Sequence, residues 1–276
     1  MMKEWAKIII GFAIISVLSC VSIFMIYQEK NDFEKQYYQL VDLESTENGS
    51  LRQLLNQGDL LTRLNAFKED LRKSEQFTFI EFLPNVVEII GEWDKPAELV
   101  NGYEYGDDLR NQTVSLEGKE LLITPINCIS MDQYAWNLYD LSLSEGSEFE
   151  DIDYILTEKK LPLILGSEFK DYYSLGDEIP LVYFFEEWTG VVKGFLEEDE
   201  VIKQDWNEYL LNKTILVPSF REVSEELGID LQKRLYYAQL EGYVLLEDKS
   251  DYSKASKEIK KLSQKYNLPY ELLRGY

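Results

Sequence analysis

The sequence predicts an α+β fold: an N-terminal transmembrane and stalk helix, then a two-lobed body in which helix-and-strand units flank an inserted strand-rich block. Three observations predict it. One uncharged apolar run, Ile8 to Tyr27, opens the chain and does not recur. Apolar residues fall at helical spacing early and again late, with aromatic and β-branched stretches beside them. Between these units, short strands follow one another, which favours α+β over a doubly wound sheet.

At about 1.5 Å per residue, the apolar run reaches across the roughly 30 Å hydrocarbon core of a bilayer. Lys3 and Lys7 precede it, and Trp5 and Tyr27 bracket it where amphipathic rings favour the headgroup level. Basic residues beside a span tend to stay in the cytoplasm. The expected topology is a cytoplasmic leader over 1–7, a single span over 8–28 in the cell membrane, and an extracellular body. Two other readings put the body on the same side. A cleaved secretory signal has a shorter apolar stretch and a small-residue cleavage site, and no A-x-A-like site follows Tyr27. Val17-Leu18-Ser19-Cys20 resembles a bacterial lipobox, which makes Cys20 a lipidation candidate. Against it, the apolar run continues from Val21 to Ile26, where a lipoprotein carries a polar tether.

The stalk helix and linker are expected over 29–57. Phe33, Tyr37, Leu40 and Val41 sit at i, i+4, i+7 and i+8 on one helical face, and Asn48-Gly49-Ser50 interrupts it. The first part of the α+β lobe, over 58–112, holds a helix with Leu60, Leu64, Phe67 and Leu71 on one face. A strand from Gln76 to Phe82 follows. The inserted strand-rich lobe covers 113–211. Strands Thr113–Lys119 and Glu120–Pro125 meet at a Gly-Lys turn, and Leu161–Gly166 is a short apolar strand. Asp177–Phe184 and Trp188–Leu196 form a hairpin over Glu186-Glu187. The second part of the α+β lobe, over 212–276, has a strand at Gly242–Glu247 and a helix with Ala255, Ile259, Leu262 and Tyr266 on one face. Asn267-Leu268-Pro269 stops that helix before a strand at Tyr270–Leu273. The early and late units are expected to share one sheet.

Composition narrows the function. A net charge of −23 and a pI near 4.4 argue against nucleic acid as a partner, since phosphates need Lys and Arg. They also argue against broad adhesion to anionic lipid and suit a soluble exposed body. With 45% hydrophobic and 13% aromatic residues the chain can build a core. Cys20 lies in the apolar run and Cys128 stands alone, so no disulfide framework exists within the body. Cys128 reads as a small buried hydrophobe. An exported body without disulfides suits a Gram-positive surface or a similar bacterial setting.

The chain contains no histidine. Ser-His-Asp and Cys-His systems and His-based metal sites are excluded. No C-x-x-C, G-x-S-x-G or phosphate-loop sequence occurs. Acidic clusters such as Glu197-Glu198-Asp199-Glu200 match no calcium loop and read as solvated surface. No catalytic residue, cofactor site or metal ligand is predicted, and the chain is not expected to be an enzyme.

Ile129 to Glu198 resembles the extracytoplasmic domain of MacB-like and FtsX-like ABC transporter permeases. The segments that carry the resemblance are Leu141 to Phe149, Leu161 to Gly166, Phe169 to Tyr173, Leu175 to Leu181 and Gly190 to Leu196, in that order. Tyr243 to Glu247 and Ser253 to Tyr266 resemble the family's closing strand and helix. Within these, Gly166 and Gly176 supply turn backbones that a side chain would hinder. Asp177 bonds backbone donors at the turn into the strand, and Gly194 marks a bulge or a close backbone approach. The resemblance implies a two-lobed body on stalk helices, a dimer, and a cytoplasmic ABC ATPase subunit whose movement reaches the body through the stalk. It also implies a peptide or lipophilic substrate such as a drug or antimicrobial peptide. Family permeases have further membrane helices after this domain, whereas this chain stops at Tyr276, and their cytoplasmic leader is longer. The expectation is a fragment or split half of a permease, or a single-span descendant with a binding role. A stand-alone anchored or lipoprotein binding module, sensor or immunity-like, is the alternative.

Overall fold

A computed structural model describes residues 36–42, 56–204 and 207–273. The leader, the expected span, Cys20 and Asn48-Gly49-Ser50 lie outside these residues. Among the described residues no helix is long and apolar enough to cross a membrane. The chain runs β1 (Gln36–Asp42), α1 (Leu60–Arg72), β2 (Thr78–Ile80), β3 (Phe82–Ile90), β4 (Gln112–Leu116) and β5 (Lys119–Met131). Next come α2 (Gln133–Tyr139), β6 (Leu143–Gly146), β7 (Ile155–Leu156), β8 (Lys160–Leu165), β9 (Glu178–Tyr183) and β10 (Glu186–Leu196). The rest is β11 (Val201–Gln204), β12 (Asn207–Leu210), β13 (Ile215–Pro218), β14 (Glu222–Val223), α3 (Ile229–Gln239), β15 (Tyr243–Leu246), α4 (Tyr252–Tyr266) and β16 (Tyr270–Leu272). The fold is α+β.

Early and late segments share one antiparallel sheet, in the order β16-β1-β15-β2. Helix α1 buries Leu60, Leu64, Phe67 and Leu71, the stripe expected from their spacing. Helix α4 buries Ala255, Ile259 and Leu262 in the same manner. Phe67 stacks on Tyr270 with ring centroids 5.4 Å apart, which ties α1 to the last strand. Residues 36–42 correct the stalk-helix expectation, because they form a strand of this sheet. Tyr37 and Val41 are four residues apart, a spacing that fits period two as well as a helical turn. Tyr38 and Leu40 supply the buried face, and pairing with both β15 and β16 decides the matter.

The middle of the chain forms a larger sheet ordered β13-β8-β10-β9-β3-β5-β4, with β13 also pairing with β5. Six strands therefore close into a ring, and β4 extends from it. Strand β5 is long enough for both partners: residues 119–123 pair with β4, and 128–131 pair with β13. Closure leaves few edges to protect. The ring begins at Phe82 and ends at Pro218, so it takes strands from beyond the limits 113 and 211 expected for the inserted lobe. Leu40 and Phe67 of the small-sheet unit and Val87, Leu163 and Trp188 of the ring belong to one continuous buried cluster. A second cluster gathers Phe82, Ile129, Trp136, Leu196 and Ile202.

The β9–β10 turn also differs from expectation. Phe184 and Phe185 occupy it, with φ of 49° and 63°, and Glu186 pairs with Tyr183 inside the ladder. A two-residue hairpin of this twist needs positive φ at both central residues. Glu186 is drawn into the strand by ion pairs to Lys159 and Arg234. The β4–β5 turn is Glu117-Gly118, one residue before the expected Gly-Lys. Helices α2 and α3 were not expected from the sequence.

Candidate functional site

Segments Leu141–Phe149, Leu161–Gly166, Leu175–Leu181 and Gly190–Leu196 meet along β10 near its bend at residues 192–194. The pairing of β10 with β8 shifts register between Val192 and Gly194. Gly194 faces Gly146 of β6, and the Ser147 N–H donates to the Lys193 carbonyl at 3.1 Å. The Gly176 N–H donates to the Val192 carbonyl at 2.8 Å, and the Val192 N–H donates to the Asp177 carbonyl at 3.0 Å. Asp177 also accepts from the Ser174 N–H through Oδ2 at 2.8 Å, closing the turn before β9. Gly176 has φ of +84° with open space around it, so backbone conformation is its requirement. Gly166 has ordinary dihedrals but no room: a Cβ would lie 2.1 Å from the Leu211 carbonyl oxygen. At Gly194 a Cβ would lie 3.2 Å from the carbonyl oxygens of Glu145 and Ser147. Its neighbour Gly146 is tighter, with a Cβ 2.2 Å from the Lys193 carbonyl oxygen. These residues shape one end of the ring and bring no reactive side chains together.

A second feature lies where the chain crosses between the two sheets. It leaves the small sheet at Glu81, between β2 and β3, and returns from the ring at Ser219, just after β13. Glu81 is 1% exposed. Its carboxylate accepts from Arg72, the last residue of α1, and from the Ser219 hydroxyl at 2.5 Å. Its backbone N–H donates to Asp132 Oδ2 at 3.2 Å, and its carbonyl accepts from the Asp132 N–H at 3.0 Å. Asp132 caps α2 by accepting from the Ala135 N–H at 2.7 Å. The Ser219 N–H donates to the Met131 carbonyl at 2.7 Å. Lys68 of α1 donates to Gln239 Oε1 at 2.6 Å, and Gln239 of α3 donates to the Phe220 carbonyl at 2.7 Å. Arg72 ties α1 to the crossing at Glu81, and the Ser219 hydroxyl ties the two crossings together, while the Asp132 and Ser219 N–H groups continue the β3–β5 and β13–β5 pairing of the ring. Burial, then the negative charge of Glu81, push the Asp132 carboxyl upward, while the N–H groups of Ala135 and Glu81 pull it back. Burial pulls the Lys68 ammonium down to about 8.

Among the described residues, clefts open on several faces. One of about 390 Å³ reaches the seam, between Arg72, Phe79, Asp132, Tyr134, Ser219 and Arg221. One of about 560 Å³ lies on the ring, where Glu98, Glu104, Glu168 and Glu208 stand beside the exposed Tyr105 and Leu210. A third, of about 480 Å³, runs along β8 and β10 under Ile152. Among the described residues no three Cys, Asp or Glu side chains gather as a metal site requires. Cys128 is buried in the ring, and burial pushes its thiol well above the usual range. The seam went unread in the sequence, although a lone Glu81 in an otherwise aromatic and aliphatic strand was its signal.

No known family profile matches the chain, and no curated protein does. Solved structures are similar to it. One is the extracellular domain of the noncanonic ABC-type transporter YknZ from Gram-positive bacteria. It has 11% identity and a TM-score of 0.46, with 87% of this chain and 100% of that one covered. Another is the periplasmic region of MacB from Actinobacillus actinomycetemcomitans, with 11% identity and a TM-score of 0.41. There, 87% of this chain and 88% of that one are covered.

Proposed function

We propose that this chain is the membrane-anchored extracytoplasmic part of an ABC-transporter permease-like protein. It couples a cytoplasmic ATPase to export of, or resistance to, a peptide or antimicrobial substrate, works as a dimer, and catalyses no reaction itself. The observation that carries the reading is the assembly of the motif segments. Leu141 to Phe149, Leu175 to Leu181 and Gly190 to Leu196 meet at one bend, in the order the sequence resemblance requires. The path of the chain supports it. Strands β1 and β16 pair antiparallel, and the Leu273 N–H donates to the Gln39 carbonyl at 2.9 Å. The chain therefore enters and leaves the described body side by side, as a body carried on adjacent stalks requires. The glutamate-lined cleft with Tyr105 and Leu210 at its side suits an amphipathic peptide.

The test is crosslinking of the full chain in its native membrane, followed by identification of the linked subunits. An ABC ATPase, or a permease half bound to one, is the expected product. Capture of an extracellular ligand by the chain without any ATPase-bearing partner would favour an anchored binding module instead.

A further inference from the structure

The cleft of about 390 Å³ beside the seam has hydrogen-bond donors to spare and its carboxylates already engaged. Two guanidiniums line it, Arg72 at the end of α1 and Arg221 just before β14, against one carboxylate, Asp132. That balance is unusual in a chain of net charge −23. Asp132 accepts from the N–H groups of Ala135 and Glu81, and Glu81 accepts from Arg72 and the Ser219 hydroxyl. A guanidinium has five N–H donors. Arg72 donates through one terminal nitrogen to Glu81, with Glu69 3.7 Å from the other. Arg221 stands 3.5 Å from its neighbour Glu222 in an exposed pair.

Tyr154 extends the donor set into the interior. It is 2% exposed, and no group among the described residues bonds its hydroxyl. A buried phenol without a partner carries a free-energy cost that an acceptor in the cleft would relieve. Its ring packs edge-on against Phe149, and the Arg221 N–H donates to its carbonyl at 2.8 Å. Tyr154 and Arg221 are thereby held side by side in the cleft wall. Burial, then the charge of Asp132 in the same wall, raise the pKa of the hydroxyl, so it remains a donor and lies toward the cleft. The rest of the wall is aromatic: Phe77 and Phe79, both buried, and the exposed Tyr134 of α2.

The geometry points to a binding site for an apolar carboxylate in this cleft, the chemistry shared by the hydrophobic C-terminus of a peptide and by a fatty acid. The carboxylate lies between Arg72 and Arg221 and accepts from the Tyr154 hydroxyl, while the apolar body covers the aromatic wall. With Asp132 and Glu81 close by, a single negative charge fits better than the double charge of a phosphate. The site is separate from the glutamate-lined cleft on the ring and does not depend on the transport reading.

Calorimetric titration of the full chain in dodecyl maltoside tests the site. The probes are N-acetyl-leucyl-phenylalanine and octanoate, each beside its uncharged amide. At least one acid should bind about tenfold tighter than its amide, and the tighter acid names the source. Arg221→Gln should weaken that acid about tenfold, and Tyr154→Phe, which removes only the hydroxyl, about threefold, with amide binding unchanged in both. Arg221 is exposed and the phenylalanine keeps the ring, so both variants should fold, which thermal unfolding checks. Acids that bind no tighter than their amides would overturn the proposal. So would no binding of either acid, or an acid affinity that survives in folded Arg221→Gln.

Discussion

A single missing Cβ holds Gly166 in place. Any side chain there would run into the carbonyl oxygens of Leu211 and Asn212, at 2.1 and 2.4 Å, and backbone cannot step aside as a flexible side chain can. Gly166→Ala is therefore expected to destabilise the body by about 2–3 kcal/mol, the scale of overpacking in a closed interior. Gly194→Val meets its carbonyl neighbours at 3.2 Å and should cost less, about 1–2 kcal/mol. Gly58→Ala, with nothing within 4 Å, should be close to neutral. Thermal unfolding of the three variants checks the order. Equal midpoints for Gly166→Ala and Gly58→Ala would contradict it. In the sequence Gly166 reads as a turn residue and Gly194 as a bulge or close approach, with nothing to rank them. What separates them is how near a distant strand passes, and that is a property of the folded chain alone.

At the scale of elements, helices α1 and α4 were legible because their buried residues repeat with a helical period over three turns or more. Strand β1 was not, because its apolar residues recur at spacings that serve a strand and a helix equally. Its strand character comes from its partners, β15 and β16, more than 200 residues away along the chain. This gives a direct check. Leu40 is fully buried in the small sheet, so Leu40→Ala should cost about 2–4 kcal/mol, as core truncations do. Gln39→Ala, on the exposed side of the same strand, should change stability by less than about 0.5 kcal/mol. Denaturant unfolding that leaves Leu40→Ala unaffected would mean that residues 36–42 do not belong to the sheet. The hairpin tip shows the same limit of local reading. Glu186-Glu187 looks like a turn by composition, yet Lys159 and Arg234, both remote in sequence, draw Glu186 into the ladder.

The described residues form two main sheets and two short two-stranded pairs, β11-β12 and β14-β7, with the ring interposed between strands of the small sheet. The strand-rich middle was visible in the sequence as a run of short apolar segments without helices. Closure of the ring was not, because it depends on β13 reaching back to β5. The seam escaped for a related reason: Glu81, Asp132 and Ser219 are scattered along the chain and meet only when the ring has closed. The proposed function requires that this body stand outside the membrane, carried on the apolar N-terminal run. Lys119 lies exposed at the β4–β5 turn, and Cys128 is buried. A Lys119→Cys variant in a Cys20→Ser background therefore presents one accessible thiol in the described body. Labelling of intact cells with a membrane-impermeant thiol reagent should modify it fully, with no increase after lysis. Modification only after lysis would place the body in the cytoplasm and contradict the account.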